Sequence, residues 1–282
     1  MVGFINVNKP SGMSSAFAVG KIKKIFGCPC GHMGTLDPMA SGVLPVGIGK
    51  ASRLFPYLLD KTKTYVAEFT FGFETDTLDG TGKVLRENGS VPSESEIKSV
   101  LPSFTGKIEQ IPPKFSAKCV DGKRGYELAR KGVEFDLKGK TVTVHRLEMI
   151  GGGDNGAFTF KIECGGGTYI RSLCRDIAYS LNTFATMTNL KRTRSGVFTL
   201  DNAVTPDALS DIESAKDLLI PADEVVDFEK IRLPKDRAEK ILNGVFENIG
   251  VGDGLFRVYA EDEFWGIGEG KDGVLRIKSY VR

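Results

Sequence analysis

Between residues 61 and 73 the chain reads KTKTYVAEFTFGF, with Tyr65, Ala67, Phe69, Phe71 and Phe73 on one face and Val66, Glu68 and Thr70 on the other. A period of two predicts a half-buried antiparallel strand. The apolar runs at 3–7 and 43–49 predict short buried strands, and 141–150 and 158–164 predict two more joined by GGGDNGA. Helical spacing appears elsewhere. Val19, Ile22 and Phe26 share one face of a helix that Ser14 or Ser15 can cap and Gly27 closes. Ser93 and Glu96 form a capping box for a helix stopped by Pro102. Ala51, Leu54, Phe55, Leu58 and Leu59 make a helical face that Pro56 interrupts. Three glycines at 165–167 lead into a helix with Ile170, Leu173, Cys174 and Ile177 inward, and 206–219 predicts an amphipathic helix. Beyond 227 the character changes to one short helix, 237–242, and three short strands near 255–260, 263–270 and 273–281.

Composition sharpens this picture only modestly. A chain of 282 residues, 41% of them hydrophobic, can bury a large core and still carry a small second domain. The boundary is expected at 227/228. No stretch approaches the roughly 18 apolar residues of a membrane span, and the N-terminus lacks a charged-then-apolar leader, so no membrane association and a cytoplasmic location are expected. The five cysteines have no framework spacing, as suits reduced thiols. The net charge of +2 is too mild to establish a nucleic-acid partner. Basic clusters do occur at Lys21/Lys23/Lys24, Lys61/Lys63, Lys123/Arg124/Arg130/Lys131 and Lys191/Arg192/Arg194, and each alone reads as a solvated face.

Candidate chemistry centres on residues 31–49, GHMGTLDPMASGVLPVGIG, an apolar, glycine-punctuated segment with one carboxylate. Pro38 holds Asp37 in an extended or turn conformation. Such an Asp either caps its own turn or acts as a fixed nucleophile. Gly47, Gly49 and Lys50 do not form a phosphate loop, because Leu44 and Ala51 stand where glycine and a hydroxyl residue belong. Cys28, Cys30 and His32 lack a second ligand pair, so no metal is expected.

The wording of the segment carries more than its spacing. Gly31, His32, Gly34, Leu36, Asp37, Pro38, Ala40, Gly42, Leu44 and Pro45 match the pattern G-H-x-G-x-L-D-P-x-A-x-G-x-L-P, and the segment closely resembles the catalytic-aspartate motif of the bacterial TruB-type tRNA pseudouridine synthases. The opening Asn8, Lys9, Pro10, Gly12 and Ser15 are similar to that family's start. So are the K-x-Y strand at Tyr65, the T-D-T-x-D-x-x-G loop after it, the P-P-x-x-S-A segment from Pro112, G-T-Y-I-R at Gly167 to Arg171, and the leucine and basic step at Leu190. Spacing around Lys118 and Cys119 departs from the pattern, which leaves Lys118 without an assigned role.

The resemblance spans about residues 3–200. It implies an α+β pseudouridine synthase fold, a large mixed and mainly antiparallel sheet flanked by helices, with a small β-rich, PUA-like C-terminal domain that binds RNA. It implies isomerisation of uridine 55 in the T arm of tRNA by a monomer, without cofactor, after the nucleotide is flipped out. Asp37, Tyr65 and Arg171 would be catalytic. Lys9, His32, Tyr65, Tyr169 and Leu190 would contact substrate, with lysine clusters attracting phosphate. A non-catalytic RNA-binding module and an Asp-nucleophile phosphatase are the competing readings; the latter wants a DxD pair, and Pro38-Met39 follow Asp37.

Overall fold

The computed structural model describes residues 1–58, 61–87, 90–116, 118–120, 122–209, 211–245 and 248–282; Leu59, expected on an apolar helical face, and the side chains of Cys119, Lys123 and Arg124 lie outside the description. In chain order the strands are β1 (Gly3–Lys9), β2 (Cys30–His32), β3 (Ser41–Ile48), β4 (Lys63–Phe71), β5 (Phe73–Thr75), β6 (Val84–Glu87) and β7 (Gly106–Gln110). They continue with β8 (Cys119–Val120), β9 (Lys123–Arg124), β10 (Lys140–Gly152), β11 (Ala157–Cys164), β12 (Ala185–Ser195), β13 (Phe198–Thr199) and β14 (Ile220–Pro221). A large sheet runs in the order β14-β1-β3-β12-β4-β11-β10-β7, with β2 on β3 and β13 on β12. Its pairings are antiparallel except β12 with β3. The fold is therefore the mixed, mainly antiparallel α+β arrangement that the resemblance implies.

The alternation of β4 is realised in burial. Tyr65, Ala67, Phe69 and Phe71 are buried, and Phe69 stacks on Phe160 of β11 at 4.7 Å between ring centres. After α2 (Glu94–Val100) and α3 (Gly125–Arg130) in the chain comes α4 (Ile170–Ser180), which lies on this face with Ile170, Leu173, Cys174 and Ile177 buried in the same core. The helix α1 (Ser15–Phe26) starts where Ser14 Oγ accepts from Phe17 N–H at 3.1 Å and ends at Gly27, whose left-handed φ of 61° lets its N–H reach Lys23 O. Ser15, the alternative cap, is instead buried and ties α1 to Leu36, donating to its carbonyl at 2.8 Å and accepting from its N–H at 2.9 Å.

Three expectations are corrected. Residues Gly49–Tyr57 form a 3-10 helix containing Pro56, not an α-helix. The single helix expected at 206–219 is a 3-10 turn, Pro206–Ala208, followed by α5 (Ile212–Asp217). Asp211 is extended, φ −150°, and its carboxylate accepts from Ser214 N–H at 2.9 Å, so it caps a new helix instead of continuing an old one. The C-terminal region has five strands, not three: β15 (Glu229–Leu233), β16 (Asn248–Val251), β17 (Gly254–Ala260), β18 (Glu263–Lys271) and β19 (Gly273–Tyr280), in the order β15-β17-β18-β19-β16. Both missed strands lie at the edges, and β15 is identified only by its parallel pairing with β17. The helix there, α6 (Lys235–Leu242), buries Ala238 and Ile241 against this sheet. One apolar cluster joins the two sheets, with Phe4, Val43, Leu54 and Phe198 against Ile267 and Val281. Arg53 Nη1 donates to Tyr280 O at 2.7 Å across the same junction.

Candidate active site

Asp37 lies between β2 and β3, in a connection fixed from several sides. Ala40 N–H donates to Asp37 O at 3.0 Å, closing a turn with Pro38 at its second position, and Gly12 N–H donates to Pro38 O at 2.8 Å. Lys9 Nζ reaches beneath the turn to the carbonyls of Pro10, Met13 and Pro38 at 2.9, 2.6 and 3.3 Å. The backbone turn is thus present, yet the carboxylate does not cap it. Arg171 holds it: Nε lies 2.9 Å from Oδ2 and Nη2 donates to Oδ1 at 3.1 Å.

Arg171 stands in the first turn of α4, just after the glycine-rich bend, and its side chain is 6% exposed against 32% for Asp37. Its remaining donors are also placed, Nη1 to Thr77 O at 2.9 Å and Nη2 to Phe115 O at 3.0 Å, with Asp79 Oδ2 at 3.5 Å from Nη1. Burial raises the Asp37 pKa above the usual carboxylate value; Arg171 opposes that rise and Asp79 adds to it. Asp79 is itself buried and accepts from the hydroxyls of Thr77 and Thr81 at 2.9 and 2.6 Å. Leu78 between Thr77 and Asp79 has a φ of 61°, a conformation of order 1 kcal/mol above the right-handed one for a residue with a side chain. The loop is held in it by bonds from Leu78 N–H to Thr75 O and from Met187 N–H to Leu78 O.

Opposite, Tyr65 of β4 is in register with Arg192 of β12. Arg192 is 1% exposed; its Nε donates to Val43 O at 2.7 Å and its Nη2 to Gly34 O at 3.1 Å, which sets its positive charge beside Tyr65. Burial raises the Tyr65 pKa, offset in part by Arg192, so the phenol is protonated at neutral pH. The parallel contact of β12 with β3 requires Gly42: at φ 100°, a Cβ there would sit 2.2 Å from Arg192 O.

These groups line a cleft of about 500 Å³ together with Lys63, Ser116, Tyr126, Arg130, Thr168, Tyr169, Ile170 and Leu190. Of the residues singled out from sequence, Asp37, Tyr65, Arg171, Tyr169 and Leu190 converge on it. Tyr169 is fixed by Gln110, whose side chain accepts from its N–H at 2.7 Å and donates to its carbonyl at 3.0 Å. Lys9 and His32 stand outside the lining. Lys9 is wholly buried under the turn, and burial lowers its pKa to about 8, opposed by Asp37 and assisted by Arg192. His32 sits on β2 opposite Val46, with Nδ1 buried and unpartnered among the described residues. Burial and then Arg192 lower its pKa.

Sequence reasoning missed Arg192, Lys63 and Asp79. The basic clusters that contain Arg192 and Lys63 predict solvated cations; both are buried. Asp79 lay in a recognised loop motif, and its flanking threonines at 77 and 81 were the available signal. Among the described residues, no three His, Cys, Asp or Glu side chains gather as metal ligands would. None of the described helices is long and apolar enough to cross a membrane.

Residues 23–170 match the model of the TruB family pseudouridylate synthase N-terminal domain. The chain belongs to the TruB family. Residues 171–227 match the tRNA pseudouridylate synthase B C-terminal domain, and 230–279 the C-terminal region of pseudouridine synthase II TruB. Among TruB relatives, the tRNA pseudouridine synthase B of Clostridium kluyveri is 39% identical over 96% of this chain and 96% of its own. That of Caldanaerobacter subterraneus subsp. tengcongensis is 41% identical over 98% of each. The archaeal box H/ACA sRNP Nop10-Cbf5 complex contains a chain of the same architecture, at TM-score 0.72 and 25% identity, covering 99% of this chain and 86% of that one.

Proposed function

We propose that this protein isomerises uridine to pseudouridine in tRNA, at position 55 of the T arm, with Asp37 as the nucleophile. The observation that carries the reading is the pairing of Asp37 with Arg171 in the wall of a polar cleft. A carboxylate raised by burial is ionised for attack only if a fixed cation opposes the burial, and a guanidinium gripping both oxygens does so. With one-third of its side chain exposed, Asp37 remains open to a nucleotide on its other side.

In this reaction the bond from uracil N1 to ribose carbon 1 breaks, the base turns, and carbon 5 bonds to the ribose. Carbon 5 then loses its proton and N1 gains one. Asp37 attacks the extruded nucleoside and is regenerated, so neither metal nor cofactor is consumed. Tyr65 and Leu190 are apolar surfaces on which the pyrimidine packs, at the few-kcal/mol cost of extrusion. Arg192 places a positive charge beside the Tyr65 phenol in the same wall of the cleft. Lys63 and Arg130 bring positive charge to the cleft's lining for the RNA backbone.

The catalytic unit on this reading is 1–227, with 228–282 a PUA-like RNA-binding domain, in a cytoplasmic monomer. The test is incubation with unmodified tRNA or a T-arm stem-loop, then analysis for pseudouridine. No pseudouridine in either RNA refutes the activity; pseudouridine elsewhere than position 55 refutes the site.

A further inference from the structure

Among the described buried side-chain polar atoms that line the cleft, Ser116 Oγ alone has no hydrogen-bond partner. Neighbouring threonine hydroxyls are engaged within the protein: Thr77 and Thr81 with Asp79, and Thr168 with Gly165 O. Ser116 is 4% exposed, and its backbone is pinned on both sides, N–H to Lys114 O and carbonyl from Tyr126 N–H, each at 3.0 Å. The preceding carbonyl, Phe115 O, accepts from the same Arg171 Nη2 that holds Asp37. Gly125 leaves room beside it, since a Cβ there would lie 3.4 Å from Ser116 Oγ. Buried hydroxyls are normally satisfied, and one left unmet on a rigid turn in a substrate-sized cleft is satisfied when the cleft fills.

We infer that Ser116 Oγ hydrogen-bonds the extruded uridine nucleotide and is a substrate-contacting residue of this cleft. The inference rests on the proposed activity. A hydroxyl both donates and accepts, so its partner is either a uracil carbonyl or the ribose 2′-hydroxyl.

The experiment compares wild type, Ser116→Ala and Ser116→Cys for pseudouridine formation in an unmodified T-arm stem-loop, and for thermal unfolding without RNA. Because no protein bond is lost, Ser116→Ala is expected to unfold at or above the wild-type temperature while kcat/KM falls about tenfold, with partial recovery in Ser116→Cys. Binding of a stem-loop with 2′-deoxyuridine at the target separates the sources: if the partner is the ribose, wild type and Ser116→Ala bind it equally, and if it is the base, the difference persists. Unchanged kcat/KM in Ser116→Ala overturns the inference. So does a lowered unfolding temperature, which would reveal a protein partner for the hydroxyl. Inactive wild type would instead sink the proposed activity.

Discussion

Arg171 grips Asp37 by both carboxylate oxygens, through Nε at 2.9 Å and Nη2 at 3.1 Å, while it also donates to backbone carbonyls of two different loops. One side chain thus fixes the carboxylate, the 76–81 loop and the 112–116 loop relative to one another. Asp37→Asn keeps the shape and an acceptor for Arg171 but removes the nucleophile. It is expected to abolish pseudouridine formation while retaining tRNA binding within a few-fold, as a filter-binding and product assay would show. Because the folded-state pKa of Asp37 is raised, its contribution to stability is present below the usual carboxylate pKa and fades as pH rises through the folded value; the Asn variant lacks that dependence.

Arg171→Lys retains charge without the fork. A point charge cannot satisfy Asp37, Thr77 O and Phe115 O together, so kcat is expected to fall on the order of 100-fold, with stability lowered by about 3 kcal/mol as buried acceptors lose donors. Chemical denaturation beside single-turnover kinetics separates the two effects. Wild-type turnover would exclude the clamp.

Tyr65→Phe preserves the ring that lines the cleft with Leu190 and removes the hydroxyl beside the Arg192 charge. RNA binding is expected to hold and the chemical step to slow. A turnover rate equal to wild type would reduce Tyr65 to a packing surface.

Lys9 gives a pH signature. Its amine titrates near 10.5 when solvated and near 8 when folded, so the native protein releases the proton first. Stability is therefore expected to rise between about pH 8 and 10.5, by on the order of 3 kcal/mol, and to be lower by that amount below pH 8. Urea unfolding across this range should show the slope, and Lys9→Met should lack it.

Chelation is expected to leave activity unchanged, because the attack is assigned to Asp37 and the isomerisation is redox-neutral, with every atom of the product supplied by the substrate. Activity lost with EDTA and restored by a divalent cation would require a metal ligand set in the cleft.

Local chemistry was legible in the linear chain. The alternation through β4, the Ser93 capping box, the helix stop at Gly27 and the turn at Asp37-Pro38 depend on neighbours a few residues apart, and all appear in the structure. The motif order from Lys9 to Leu190 also named five side chains that line one cleft. Distant pairing was not legible. Asp37 and Arg171 are 134 positions apart, and only the sheet order, with α4 laid across it, brings them together. Arg192 resembles its exposed basic neighbours in sequence; it is buried because β12 runs beside β3 and β4, where the carbonyls of Gly34 and Val43 replace water around the guanidinium. A cation's solvation is set by whatever surrounds it in space, so its burial was decided only by the tertiary structure.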